Sequence, residues 1–306
     1  MEIQLSHTKE SWIARAYDGS ASSFVALEAF GWGELLNLGY YPLLHTPLVL
    51  GGLGHFQRRL ARESLALLDA QPGERILDAA CGRGWTTAEI ATRGASVLGV
   101  DLLSDAIEEA RRRFGSRPGV QFTAGDTTAL PGETQGFALG DDSLDGIHCL
   151  EAGFHFGPDG RQAFLEQAWR MLRPGGRLVL VDFVWRNNRP EEIADFDDKR
   201  IVRDTWRFDE FEPLERYRTR ARQLGFHQRK LLDWSRPVTG RFVKLGFLLA
   251  YLGNSTQGRW LLKQLFPAVS GVRDEEWPDL LALMHAHERV QKQSSYIALV
   301  LDKPGG

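Results

Sequence analysis

Cysteine, methionine and long apolar runs are all scarce in this chain: two Cys and three Met occur in 306 residues. Cys81 and Cys149 both fall in apparent core segments, which excludes a disulfide framework and makes a reducing cytoplasm the expected setting. The most apolar stretch, residues 243–252, is interrupted by Lys244 and Gly246 and is too short to span a bilayer, so no stable membrane insertion is expected. The opening residues MEIQLSHTKESW lack a basic segment followed by an apolar run, so no signal peptide is expected either. An excess of one charge is also missing. With 37 Lys and Arg against 40 Asp and Glu, the net charge of −3 offers no general basic field for nucleic acid or anionic lipid. Internal repeats and low-complexity runs are absent.

What is present is a globular composition, 43% hydrophobic and 25% charged, enough for one large α/β domain with decorations or two small domains. Nine Trp and seventeen Phe supply either ordinary core packing or an apolar substrate pocket.

The middle of the chain alternates strand and helix signals, which implies βαβ units and a parallel sheet. Strands are expected at residues 74–79, 96–101, 120–124, 144–150 and 177–183. Helices are expected at 85–93, after Ser104 as N-cap, and around Phe164, Ala168, Met171 and Leu172, ending at Arg173-Pro174-Gly175-Gly176. A helix over 214–224, a strand over 226–234, a helical stretch over 238–290 and a closing strand over 295–302 follow. Residues 1–55 read as an N-terminal cap. Residues 56–306 read as the catalytic domain, with substrate-cap insertions at about 187–212 and 238–290. The segments 1–55 and 187–212 are expected to shield the site as a mobile cap.

Four features sit at successive strand ends, where ligands of such sheets bind. Leu77-Asp78-Ala79-Ala80-Cys81-Gly82-Arg83-Gly84 runs from a strand through a glycine turn into a helix, so backbone must approach a ligand closely. The dinucleotide fingerprint would need a third glycine where Thr87 stands. Asp101, followed by Leu102, ends the second strand, where a carboxylate can accept from two ribose hydroxyls. Gly125-Asp126-Thr127 places an acceptor beside an adenine amino group, and Leu172-Arg173-Pro174-Gly175-Gly176 precedes the fifth strand. Several other residues read as bland. Arg111-Arg112-Arg113 reads as a solvated helix face, His148 as a packed core histidine, and His285 and His287 as rings pointing apart, with no metal site. Cys81 has no nearby base to make it a nucleophile.

These segments resemble the class I S-adenosylmethionine (SAM)-dependent methyltransferases over residues 56–235. ILDAACGRG is similar to the family's first motif, GVD to its acidic second-strand end, AGDTTALP to its adenine loop and LRPGGRLVLVD to its fifth-strand signature. Ala80 stands where the family usually has a glycine. The resemblance implies a Rossmann-like α/β sheet, mostly parallel with an antiparallel closing strand and helices on both faces. It also implies SAM as cofactor, S-adenosylhomocysteine as product, and Asp78, Ala80, Gly82, Gly84, Asp101, Leu102, Asp126, Thr127 and Glu151 around the cofactor. Residues 30–41, FGWGELLNLGYY, resemble segments of tocopherol- and sterol-type methyltransferases, which implies Tyr40 or Tyr41 closing over the methionine end of SAM. Glu151-Ala152-Gly153-Phe154-His155 is similar to the E-A-x-x-H stretch of the sterol enzymes.

By that analogy the acceptor is a small apolar molecule, isoprenoid or another natural product, and Glu151 and His155 are the catalytic candidates. Against this stands the reading of Glu151 as a cap for the next turn and His155 as a satisfied loop histidine. A SAM-binding cyclase that transfers no methyl group is the alternative function. A macromolecular substrate is disfavoured, since E-A-G-F replaces an N-P-P-Y-like motif and no basic stripe is evident; no nucleic-acid partner is expected. Whether the chain forms a homo-oligomer is left open.

Overall fold

A computed structural model describes residues 11–14, 22–43 and 52–305; of the expected cap 1–55, residues 1–10, 15–21 and 44–51 lie outside the described set. The chain divides into two compact units. One comprises Met1–Leu60, Arg189–Glu210 and Trp234–Tyr296; the other comprises Ala61–Asn188, Phe211–Asp233 and Ile297–Gly306.

The second unit is built on a seven-stranded sheet. Its elements begin with helix α1 (Leu53–Leu68), which enters from the first unit, and strand β1 (Arg75–Ala79). Helix α2 (Trp85–Ala91), β2 (Ser96–Asp101), α3 (Ser104–Phe114) and β3 (Val120–Ala124) follow. After a small hairpin (Glu133–Thr134 with Phe137–Ala138) come β4 (Leu144–Leu150), α4 (Gly157–Met171) and β5 (Leu172–Trp185). Helix α5 (Leu214–Leu224), β6 (His227–Asp233) and β7 (Ser294–Asp302) complete it. The order across the sheet is β3-β2-β1-β4-β5-β7-β6. The first five strands run parallel, and β7 pairs antiparallel with β6. Successive residues of β1, β2 and β4 are buried, as a sheet covered on both faces requires. The expected sheet is the observed one.

Two local readings are corrected. Ser104 does not cap α3; it is the first helical residue, Leu103 holds the N-cap, and Asp101 Oδ1 accepts from Leu103 N at 2.9 Å. The strand after Met171 starts at Leu172, not Arg177, because Leu172 already pairs with Leu144 of β4, with a register irregularity between Leu144 and Gly146. Gly175 N donates to Lys303 O and Lys303 N to Gly176 O, so the Pro-Gly-Gly segment is itself paired.

The first unit is helical, with Ser22–Ala29, Ile193–Phe196, Ile201–Trp206, Arg241–Gly253, Thr256–Leu265 and Trp277–Gln291. The segment 30–41 is pinned to the start of α1. Gln57 Nε2 donates to the carbonyls of Leu35 (2.6 Å) and Asn37 (2.8 Å), and Asn37 Oδ1 accepts from Gly39 N at 3.1 Å. Buried amides with this many partners hold a backbone path that apolar side chains could not.

Candidate active site

Parallel pairing sets the strand ends side by side. Ala79 lies opposite Val100 on one flank and Cys149 on the other, so the turn after β1 is bracketed by Asp101 of β2 and Glu151 beyond β4. Asp126 follows at the end of β3. Asp78, Asp101, Asp126 and Glu151 therefore occupy one edge of the sheet, as parallel topology demands.

The turn itself is left-handed at three points: Ala80 (φ 55°), Gly82 (φ 53°) and Gly84 (φ 81°). Gly84 is irreplaceable on two grounds. Its φ is unfavourable for a side chain, and a Cβ there would lie 2.7 Å from Ala110 Cβ and from the Phe122 ring. Ala80 accepts the same backbone region at a strain cost.

Asp101 is 8% exposed, and its Oδ2 accepts from Gly82 N at 2.8 Å, so the acid clamps the turn directly. Burial raises its pKa, opposed by the Leu103 and Gly82 N–H groups and reinforced by nearby Asp78. Asp126 Oδ1 accepts from Thr128 N (2.9 Å) and Thr128 Oγ1 (2.7 Å), which shapes the loop beside buried Thr127. Leu102 is half-buried next to Asp101.

Asp78 lies under the turn, 1% exposed. Its Oδ2 accepts from Thr86 Oγ1 (2.6 Å) and Thr87 Oγ1 (2.7 Å), tying β1 to the first turn of α2. His148 Nδ1 meets Asp78 Oδ1 at 2.8 Å, and His148 Nε2 lies 2.9 Å from Ser64 Oγ. Ser64 in turn donates to Ala61 O at 2.7 Å. His148 is thus a buried histidine, as its strand position suggests, but a working one: it links α1, β4 and the cofactor turn. Thr86, Thr87, His148 and Ser64 were not legible as site residues in the sequence.

Glu151 adopts φ 52° at the end of β4, and its N–H donates to Val181 O at 2.7 Å. Ala152 holds the N-cap position of the short helix Gly153–His155 that follows. A carboxylate residue forced into the left-handed region by its surroundings stores strain, a feature that gathers at functional sites. Beside it lies an aromatic wall. Phe154 meets Phe183 edge-on at 5.5 Å and Phe211 at 6.3 Å, Phe183 and Phe211 stack at 5.1 Å, and the half-buried His155 ring lies 4.0 Å from Phe154.

Under this loop sit Asp182 and Tyr217, joined at 3.3 Å. A Cβ on Gly153 would lie 2.4 Å from Asp182 Oδ2 and 2.7 Å from the Tyr217 hydroxyl, so only glycine lets the loop settle there. Burial pushes the Asp182 carboxyl up to about 7, against the pull of the Phe183 N–H.

Other candidates resolve as follows. Tyr41 is buried, stacked on Phe56 at 4.8 Å, and donates to Leu38 O, so it is a packing residue. Tyr40 is half-buried in the first unit, edge-on to Trp234 at 5.8 Å with Arg59 over its face. Arg111 is more than a solvated charge, since its guanidinium donates twice to Phe122 O. His285 packs on Phe247, whereas His287 Nε2 accepts from Trp206 Nε1 at 2.9 Å. Burial holds both thiols well above their ordinary pKa, so neither Cys81 nor Cys149 presents a thiolate.

The first unit also contains a partly open cavity of about 70 Å³. Phe30, Trp206, Phe242, Leu249, Trp277 and Met284 are among its wholly apolar lining. The indole N–H of Trp277 is buried without a hydrogen-bond partner.

Comparison with known proteins agrees with this geometry. Residues 76–176 match the family described as a methyltransferase domain. The chain is 36% identical over 143 residues to a demethylmenaquinone methyltransferase of Beutenbergia cavernae, covering 47% of this chain and 53% of that protein. It spans about half the length of the curated relatives it matches. The fold is shared with the geranyl diphosphate C-methyltransferase from Streptomyces coelicolor A3(2) (TM-score 0.65, 15% identity, 96% of this chain and 98% of that one). It is shared equally with the [4+2]-cyclase SpnF (TM-score 0.63, 18% identity, 92% and 93%). Residues 76–176 are thus similar to a methyltransferase domain, and the fold around them is the Rossmann-like fold of the class I methyltransferases.

Proposed function

We propose that this protein transfers a methyl group from SAM to a small, largely apolar acceptor. The observation that carries this reading is Glu151, strained at φ 52° next to the wall of Phe154, Phe183 and Phe211. The cofactor supplies an electrophilic methyl on a sulfonium. Asp101 would hold its ribose, since each carboxylate oxygen accepts one backbone N–H and keeps a further lone pair. The Asp126-Thr127 loop would take the adenine, and the turn at residues 80–84 brings backbone close to the ligand.

The residues of this chain then bind, orient and exclude water, which supplies much of the acceleration for an in-line displacement. Glu151 would take a proton from a hydroxyl, amine or cationic acceptor, and the aromatic faces would stabilise positive charge beside it. The apolar cavity of the first unit supports an acceptor with a hydrocarbon body.

The same wall and carboxylate also suit a cyclisation assisted by bound SAM, without methyl transfer. One experiment separates the two: incubation with SAM and candidate acceptors, with S-adenosylhomocysteine and product quantified together. Equal amounts of both support methyl transfer. Product without S-adenosylhomocysteine establishes the cyclase reading, and calorimetry showing no SAM binding overturns both.

A further inference from the structure

The near-neutral total charge conceals a one-signed stretch. Residues 234–273 contain Arg236, Arg241, Lys244, Arg259, Lys263 and Arg273 and no Asp or Glu. Within it lie the helices Arg241–Gly253 and Thr256–Leu265. They are joined by a tight turn in which Ser255 Oγ caps the second helix through Gly258 N, and Asn254 donates to Ala250 O and Trp277 O. The hairpin is therefore a built element and not a loose loop.

Its outward side is apolar. Among the described residues, the exposed large hydrophobic side chains are Leu43 and five on this hairpin: Leu248, Tyr251, Trp260, Leu261 and Leu265. Tyr251 is 74% exposed, Trp260 64% and Leu265 62%, far beyond what scattered surface residues need to explain. Lys244, Leu248 and Tyr251 follow i, i+4, i+7 and share one stripe of the first helix. Leu261 and Leu265, at i and i+4, share one stripe of the second, and Trp260 stands exposed on the adjoining face. Asp274 is shared between Arg259 (3.2 Å) and Lys263 (3.8 Å), and Arg273 meets Glu275 (3.4 Å) and Glu276 (2.7 Å). This leaves Arg236 and Lys244 as the exposed cations of the stretch with no ion pair among the described residues.

We infer that this hairpin is a membrane-docking face that rests on a bilayer surface bearing anionic lipid. Trp and Tyr settle at the headgroup level, leucines dip below it, and lysines reach the phosphates with their stems lying along the apolar surface. Each cation near an anionic surface adds to the binding. No helix among the described residues is long and apolar enough to cross a membrane, so the attachment is peripheral. A second copy of the chain is the weaker occupant, because a two-fold contact would set this cationic face against itself. The inner side of the first helix (Phe242, Leu245, Leu249) lines the apolar cavity, which gives a lipid-soluble ligand a short path between bilayer and protein.

The full chain should co-sediment with vesicles of phosphatidylcholine containing phosphatidylglycerol, bind vesicles of phosphatidylcholine alone far less, and be released by added salt. Trp260→Ser with Leu265→Ser removes two exposed side chains and should lower binding at least about tenfold without loss of fold by circular dichroism. Lys244→Glu with Lys263→Glu should abolish the preference for phosphatidylglycerol. No binding to either vesicle, equal binding to both, or unchanged binding of the Trp260/Leu265 variant overturns the inference. So does sedimentation showing a dimer that this variant dissociates while vesicles leave it untouched.

Discussion

His148 Nδ1 and Asp78 Oδ1 lie 2.8 Å apart, with both side chains sealed from solvent. Asp78 Oδ2 accepts two threonine hydroxyls as well, so both oxygens of the carboxylate are held. The pair fixes the carboxylate on which the cofactor turn rests. His148→Phe keeps the bulk but leaves Asp78 Oδ1 without its partner in the core, while Ser64 keeps its bond to Ala61 O. It should cost about 2–3 kcal/mol in urea unfolding, whereas Ser64→Ala should cost about 1 kcal/mol. SAM affinity measured by calorimetry should follow the same order.

Asp101→Ala removes the clamp on Gly82 and, on the proposed function, the ribose acceptor. SAM binding should weaken by about 1.5–3 kcal/mol, the scale of a lost charged hydrogen bond, with no gain of NAD binding. Since burial raises the Asp101 pKa, its carboxylate protonates at a higher pH than an exposed aspartate, and SAM affinity should fall on acidification sooner than for a surface acid. Titration calorimetry across mildly acidic pH reads this directly.

Glu151→Gln preserves shape and hydrogen bonding but removes the charge. Turnover should drop about 100-fold or more with SAM affinity little changed. Parallel losses in binding and turnover would make Glu151 a cofactor or structural residue, and no loss would turn attention to His155.

Asp182 and His287 tilt the stability curve in opposite directions. The Asp182 carboxyl sits near 7 against an ordinary 3.8, so its contribution is fully present below about pH 4 and is lost as pH rises through 7. The upper bound is about 4 kcal/mol. Burial lowers His287 to about 4, so its contribution is present above 6.5 and is lost as pH falls toward 4. Asp182→Asn should therefore raise the unfolding midpoint at pH 8 and leave it nearly unchanged at pH 4. His287→Phe would flatten the acidic side, after correction for the lost bond to Trp206. Denaturation midpoints over this pH range settle both.

Ala80→Gly relieves a left-handed residue, worth about 1–2 kcal/mol, against about 0.4–1 kcal/mol of added unfolded-chain entropy. The variant should be more stable by roughly 0.5–1 kcal/mol at unchanged m-value.

The succession of parallel strands and the placement of Asp78, Asp101, Asp126 and Glu151 at their ends were legible in the sequence alone; the order of the strands across the sheet was not. Parallel βαβ succession leaves no choice: each strand must deliver its last residue to the same edge, so spacing along the chain converts directly into geometry. Local chemistry was less legible wherever a partner arrived from afar. Ser104 looks like a helix cap until Asp101 is seen to take the Leu103 N–H. Arg111 looks solvated until β3 presents the Phe122 carbonyl. Only the tertiary structure decided that Ser64, 84 positions from His148, would complete the relay to Asp78. It also decided that Asp182 would lie beneath Gly153 and that the cationic hairpin would turn its tryptophan outward. Hydrogen bonds and exposure depend on distances in space, and a pattern of 3.6 or two residues carries no record of which distant strand or helix will stand on the other side.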